Sequence, residues 1–214
     1  MNLEKYIDHT LLKPTATQEE IKTLCKEAQE YNFYAVCVNG SHVNFCKEIL
    51  RETDIKIAAV IGFPLGAMTT KAKIFEAEEC LKNGADEIDM VINIGWLKSG
   101  EIDKVTSEIR GLKKAIGDKV LKVIIETCYL TDEEKKIACK AAVDAKADFV
   151  KTSTGFGSNG ASIQDIILMS LAVAGKAKIK ASGGIRDAIT TKEYISLGVS
   201  RIGTSSGIKI VKTQ

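Results

Sequence analysis

The chain has 214 residues, 45% hydrophobic and 27% charged, with a formal net charge of +2. That length suits one domain, residues 1–214, with a full-sized core. The small charge, with no basic tract interleaved with aromatics, argues against nucleic acid as a partner, and no apolar run is long enough to span a bilayer.

The amino terminus, Met1-Asn2-Leu3-Glu4-Lys5, lacks the apolar run of a signal peptide, so a cytoplasmic location is expected. A short extra helix over residues 2–5 competes there with a first strand over 6–10. Thr17-x-x-Glu20 has capping-box spacing, and Ile21, Leu24, Cys25 and Ala28 follow at helical period. Further short apolar runs mark strands over 35–38, 56–61, 87–93, 120–126, 148–152, 178–181 and 201–204. A second capping box, Thr131-x-x-Glu134, opens a helix whose apolar side is Ile137, Ala138, Ala141, Ala142 and Ala145. Gly84, Gly117 and Gly198 sit where helices should stop. Six cysteines, at 25, 37, 46, 80, 128 and 139, form no C-x-x-C pair and match no zinc spacing. Free thiols are expected, most of them as small buried hydrophobes.

Eight strands, nearly all followed by a helix, imply a parallel sheet closed into a (β/α)8 barrel, near the lower end of length for that fold. An open doubly wound sheet is the alternative. It would usually carry a glycine-rich dinucleotide turn after its first strand, and Asn39-Gly40-Ser41-His42 is not such a turn.

Two lysines stand near the ends of strands that lead into glycine-bearing loops: Lys151 in Val150-Lys151-Thr152-Ser153-Thr154-Gly155-Phe156, and Lys180 in Ile179-Lys180-Ala181-Ser182-Gly183-Gly184-Ile185-Arg186. Alternation puts each opposite its apolar neighbour, and therefore inside a closed sheet. A buried ammonium is costly, and the usual relief is a depressed pKa, helped by a second cation nearby. That makes a lysine nucleophilic enough to form a Schiff base. The same alternation turns Asp89 and Asn93 inward, away from Ile88, Met90 and Ile92. It also turns Lys122 and Glu126 inward, away from Leu121, Val123 and Ile125; Asp8 lies on the first strand. Lys178, also on the inward side but at its strand's start, should reach solvent at the bottom rim. A purely structural ion network is the alternative reading, but paired burial seldom adds net stability. Gly183-Gly184-Ile185-Arg186-Asp187 and Gly203-Thr204-Ser205-Ser206-Gly207 follow strands seven and eight, where this fold commonly binds phosphate.

These residues resemble the deoxyribose-phosphate aldolases, a class I aldolase family, over nearly the whole chain. The resemblance rests on Ile7-Asp8-His9-Thr10-Leu11-Leu12-Lys13-Pro14, Val36-Cys37-Val38, Gly62-Phe63-Pro64-Leu65-Gly66, Gly84-Ala85-Asp86-Glu87-Ile88-Asp89-Met90-Val91 and Lys122-Val123-Ile124-Ile125-Glu126-Thr127. The Lys151, Lys180 and Gly203 segments complete it. It implies that Lys151 is the Schiff-base lysine, Lys180 the second active-site lysine, and Asp89 the acid/base aspartate. It implies substrate or supporting contacts at Asp8, Cys37 and Lys122, and a phosphate-facing set at Thr154, Gly155, Gly183, Gly184, Arg186, Gly203, Ser205 and Ser206. The implied reaction is reversible cleavage of 2-deoxy-D-ribose 5-phosphate to acetaldehyde and D-glyceraldehyde 3-phosphate, in the catabolism of deoxyribonucleotides, with no cofactor and no metal. Two departures stand out. Phe156 follows Gly155 where some members place a lysine, and the chain ends Ile210-Val211-Lys212-Thr213-Gln214 without the terminal tyrosine tail some members carry.

Three rival readings remain at this stage: a different phosphate-binding barrel enzyme, a metal-dependent aldolase, and a non-catalytic sugar-phosphate sensor. The second needs a histidine-rich site, whereas His9 and His42 are the only histidines and read as hydrogen-bonding residues near the rim. Small sugar phosphates and aldehydes are the expected partners, without membrane or nucleic acid. A homodimer or homotetramer is compatible with a barrel of this size, with no patch assigned to it.

Overall fold

Eight short parallel strands run in sequence order round a closed barrel, so each strand pairs with its chain neighbours and β8 closes on β1. The computed structural model describes residues 1–213. The order is β1 (Ile7–Leu11), α1 (Gln18–Glu30), β2 (Ala35–Asn39), α2 (Val43–Leu50), β3 (Lys56–Ile61), α3 (Thr70–Lys82) and β4 (Glu87–Val91). It continues with α4 (Ile94–Lys98), α5 (Ile102–Ile116), β5 (Val120–Ile124), α6 (Asp132–Asp144), β6 (Phe149–Lys151), α7 (Ile163–Val173), β7 (Lys178–Ser182), α8 (Ala188–Ser196), β8 (Val199–Thr204) and α9 (Gly207–Lys212). The extra amino-terminal helix is a single 3-10 turn, Leu3–Tyr6, and it precedes β1 without consuming it.

Local chemistry fixes the helix ends. Both capping boxes form: Thr17 and Thr131 accept from the amides of Glu20 and Glu134, whose carboxylates return the bond. Each such cap stabilises its helix by about 1 kcal/mol. Gly84, Gly117 and Gly198 follow α3, α5 and α8 with positive φ, which lets the chain turn back toward the next strand. Ile137 departs from expectation: it is 38% exposed on α6, and the small residues Ala138, Ala141 and Ala142 make the contact with the sheet instead.

Side-chain alternation splits the buried residues into two layers. Val36, Val38, Ile57, Ala59, Ile88, Met90, Leu121, Val123, Val150, Ile179, Ala181 and Ile202 join the helices in one large outer core. Inside the barrel Leu12, Cys37, Ala58 and Val60 form a second, small apolar cluster, with Phe63 packed against it. Val91, Ile124 and Phe149 alternate onto the inner side as well, beside a buried charged set: Asp8, Glu87, Asp89, Lys122, Lys151, Lys180 and Arg201. Apolar burial on the outer face, at about 1.5–3 kcal/mol for each large aliphatic side chain, offsets the cost of this charged interior. Lys178 is exposed at the start of β7, as its position implied. Among the described residues no helix is long and apolar enough to cross a membrane, and all six cysteines are free.

Candidate active site

Strand register places the charged side chains at neighbouring heights. Lys151 on β6 lies beside Lys180 on β7, and Asp89 on β4 lies beside Lys122 on β5. Asp89 joins them. Its Oδ2 accepts from Lys151 Nζ at 2.8 Å and from Lys180 Nζ at 2.9 Å, while Oδ1 accepts from Lys122 Nζ at 2.7 Å. Lys180 also donates to Asp8 Oδ2. Toward the starts of the strands, Glu87 Oε2 lies 2.5 Å from Lys122 Nζ. Arg201 lies 3.7 Å from both Asp8 and Glu87, with its guanidinium against the Tyr34 ring. The Lys180 side chain has room because β8 carries Gly203 where it passes: a Cβ there would come within 3.1 Å of Lys180 Cε.

The network holds four cations against three carboxylates, so with every group ionised it carries one net positive charge. Removal of one proton from one lysine balances it. Burial alone would raise the pKa of Asp89, but Lys122, Lys151 and Lys180 outweigh burial and hold the carboxyl well below its ordinary value. Burial likewise opposes the ionised form of Asp8, yet Lys180, Lys122 and Arg201 lower it. For Lys180, burial is overcome by Asp8 and Asp89, which hold the ammonium well above the ordinary lysine value; Lys122 is raised in the same way by Asp89 and Glu87. Cys37, pushed up by burial, stays a thiol and is a poor nucleophile.

These shifts define a pH window for stability. Depressed carboxylates stabilise the fold above their ordinary value of 3.8 and lose that contribution as pH falls below it. Raised lysines stabilise it below 10.5 and lose that contribution as pH climbs through their folded values. Urea midpoints should therefore show no loss attributable to Asp8, Asp89, Lys122 and Lys180 between these limits, and should decline outside them. A decline centred near neutrality in the wild type, absent once Asp89 is replaced, would contradict the ionisation states assigned here.

A cavity of about 340 Å³ opens at the carboxyl ends of the strands. Of the three clustered lysines, only Lys151 lines it. Thr154, Gly155, Gly183, Gly184, Arg186, Gly203 and Ser205 also line it, which brings most of the expected phosphate-facing set together. Gly183 and Gly184 both have positive φ, and a Cβ on Gly160 would strike the Gly183 carbonyl at 2.0 Å, so the loop after β6 crosses tightly over the loop after β7.

Other expected positions fall elsewhere. Asp8, Cys37 and Lys122, expected near the substrate or in support of the proton network, are fully buried and outside the cavity lining. Asp8 and Lys122 make ion pairs with Asp89 and Lys180, and Cys37 belongs to the interior apolar cluster. Ser206 lies outside this lining, beside α9. Asn93 does not face the interior, because β4 ends at Val91 and its side chain caps α4. Glu126 lies beyond β5 in the left-handed region, with φ 54°, and accepts from the Thr154 amide at 3.1 Å and from the Thr154 hydroxyl. It thereby holds the loop that carries Gly155 and Phe156. Phe156 packs edge-on against Phe63, with ring centroids 5.3 Å apart, and gives the cavity an apolar wall.

Sequence reasoning missed Glu87 and Arg201. The signal was present: two residues back from Asp89 is Glu87, and two back from Gly203 is Arg201. It also missed Thr10, Leu12, Lys13 and Ser182 in the cavity wall.

A family model described as DeoC/LacD family aldolase matches residues 3–213. A protein of Brevibacillus brevis named deoxyribose-phosphate aldolase is 54% identical over 211 residues, covering 99% of this chain and 96% of its own. Among solved structures, an aldolase called QR15 is 42% identical with a TM-score of 0.95, covering 99% of this chain and 95% of that one. A deoxyribose phosphate aldolase of Aeropyrum pernix, described as having a unique tetrameric structure, is 32% identical with a TM-score of 0.90, covering 98% and 89%.

Proposed function

The chain belongs to the DeoC/LacD aldolase family, and from that premise we propose that it is a class I aldolase that reversibly cleaves 2-deoxy-D-ribose 5-phosphate to acetaldehyde and D-glyceraldehyde 3-phosphate. The observation that carries the choice of nucleophile is the position of Lys151: it alone of the clustered lysines reaches the cavity, while Asp89 Oδ2 contacts its Nζ from within.

In this reading, the unprotonated Lys151 amine attacks the substrate aldehyde to form a carbinolamine, which loses water to give an iminium. Asp89, working through a bound water, takes the proton from the C3 hydroxyl. The C2–C3 bond breaks, its electron pair flows into the iminium, and C3 leaves as the aldehyde of glyceraldehyde 3-phosphate. The two-carbon enamine that remains is protonated at carbon and hydrolysed, which releases acetaldehyde and frees Lys151. Lys180, an ammonium held by Asp8 and Asp89, keeps Asp89 ionised and shares its Oδ2 with Lys151, which sets it beside the reacting nitrogen as a partner in proton transfer.

The far side of the cavity suits a phosphoryl group. Gly183, Gly184 and Gly203 expose backbone, Ser205 offers a hydroxyl, and Arg186 offers a guanidinium. We extend to this chain a cytoplasmic location and assembly into a homodimer or homotetramer. The test is a coupled cleavage assay on 2-deoxyribose 5-phosphate in the presence of a chelator. Equal rates of acetaldehyde and triose phosphate release are expected. A protein that releases neither product refutes the reading.

A further inference from the structure

His9 lies on β1 between Asp8 and Thr10, yet its ring points to the outer side of the sheet, where it is 3% exposed. Two contacts fix the ring there: Nε2 lies 2.7 Å from Glu27 Oε2 of α1, and the ring packs on Phe33 with centroids 5.0 Å apart. Burial, opposed by Glu27 and the Thr204 backbone, lowers the imidazole below its ordinary 6.5, so the ring is neutral at pH 7. The Glu27 carboxylate at Nε2 fixes the orientation of the ring and so the direction in which Nδ1 points. Nδ1 has no hydrogen-bond partner and faces the turn from β8 into α9. There is no slack at this contact: a Cβ on Gly207 would come within 3.0 Å of Nδ1 and 2.9 Å of Phe33 Cζ.

The turn above His9 is tied on its other side as well. The Thr204 hydroxyl donates to the Ile185 carbonyl and accepts from the Ser206 amide, which couples the loop after β8 to the loop after β7. Ser205, at the crest of this turn, lines the cavity. We propose that His9, oriented by Glu27, is a positioning residue: it is the strut that sets the height of the 204–207 turn and so places Ser205 and its neighbouring amides for the phosphoryl end of the substrate. The inference rests on the reading of this turn as the phosphate site. It assigns no role to His9 in the carbon–carbon chemistry.

The test compares kcat/KM for 2-deoxyribose 5-phosphate and for unphosphorylated 2-deoxyribose. His9→Ala should reduce the phosphorylated-to-unphosphorylated ratio by about tenfold, chiefly through KM of the phosphorylated sugar. His9→Asn, which restores a polar atom near the place of Nδ1, should recover part of it. Glu27→Ala, at a side chain 33% exposed, should shift the ratio the same way by less, and it carries the test if His9→Ala does not fold. A general loosening of β1 would lower both substrates together, because Asp8 on the same strand supports Lys180. A wild-type protein that prefers the phosphorylated sugar, with that ratio unchanged in both alanine variants, overturns the inference. A wild-type protein with no such preference removes the phosphate reading, and the inference with it.

Discussion

Lys151→Ala loses turnover by about 10⁴–10⁶-fold while the protein stays folded. The loss follows from chemistry: without the amine there is no iminium, hence no sink for the electron pair of the breaking C2–C3 bond. Retention of the fold follows from the charge count. Removing one cation leaves three cations against three carboxylates in the barrel interior, a balance the wild type lacks when fully ionised. The truncated side chain borders the open cavity, where water can fill the space. Steady-state cleavage rates and a thermal melt check both halves. Activity within tenfold of wild type would remove Lys151 from the nucleophile's role.

Asp89→Asn has the opposite balance. It lowers kcat by about 10²–10⁴-fold, the usual worth of positioned acid–base assistance. It also destabilises the fold by about 3–5 kcal/mol, the cost of breaking a buried ion pair from one side. The reason for the second effect is specific. Asp89 alone contacts Lys122, Lys151 and Lys180 together, and it is fully buried, so its neutralisation leaves four cations facing two carboxylates. Denaturant unfolding of the two variants side by side separates the roles: a folded, inactive Lys151→Ala and a weakened Asp89→Asn are expected. An Asp89→Asn protein as stable as the wild type would mean that the interior is not ionised as described.

Much of this arrangement was legible in the sequence because strands have a strict period of two. Apolar residues on one side of β4, β5, β6 and β7 forced Asp89, Lys122, Lys151 and Lys180 onto the other, and eight strand–helix units implied closure. The reading failed where the period stops. Asn93 and Glu126 lie past the ends of β4 and β5, so backbone direction and not alternation sets their side chains. Glu87 opens β4, and Arg201 opens the strand expected over 201–204, where a charged residue suggests a solvated rim as Lys178 does. Here they meet each other, Lys122 and Tyr34 inside the barrel instead. Depth within the barrel was also invisible. Alternation in the sequence turns Lys122 inward as it does Lys151, but only the three-dimensional stacking shows that Lys151 reaches the cavity and Lys122 does not. The support of the 204–207 turn by His9 required strand register between β1 and β8, which no local pattern carries.

The most direct test of the central claim is reductive trapping of the wild-type protein. Borohydride is added in the presence of acetaldehyde, and the modified peptide is read by mass spectrometry. The account predicts an ethyl group confined to the peptide that carries Lys151. An adduct on Lys180 instead, or none on a well-folded protein, would contradict it.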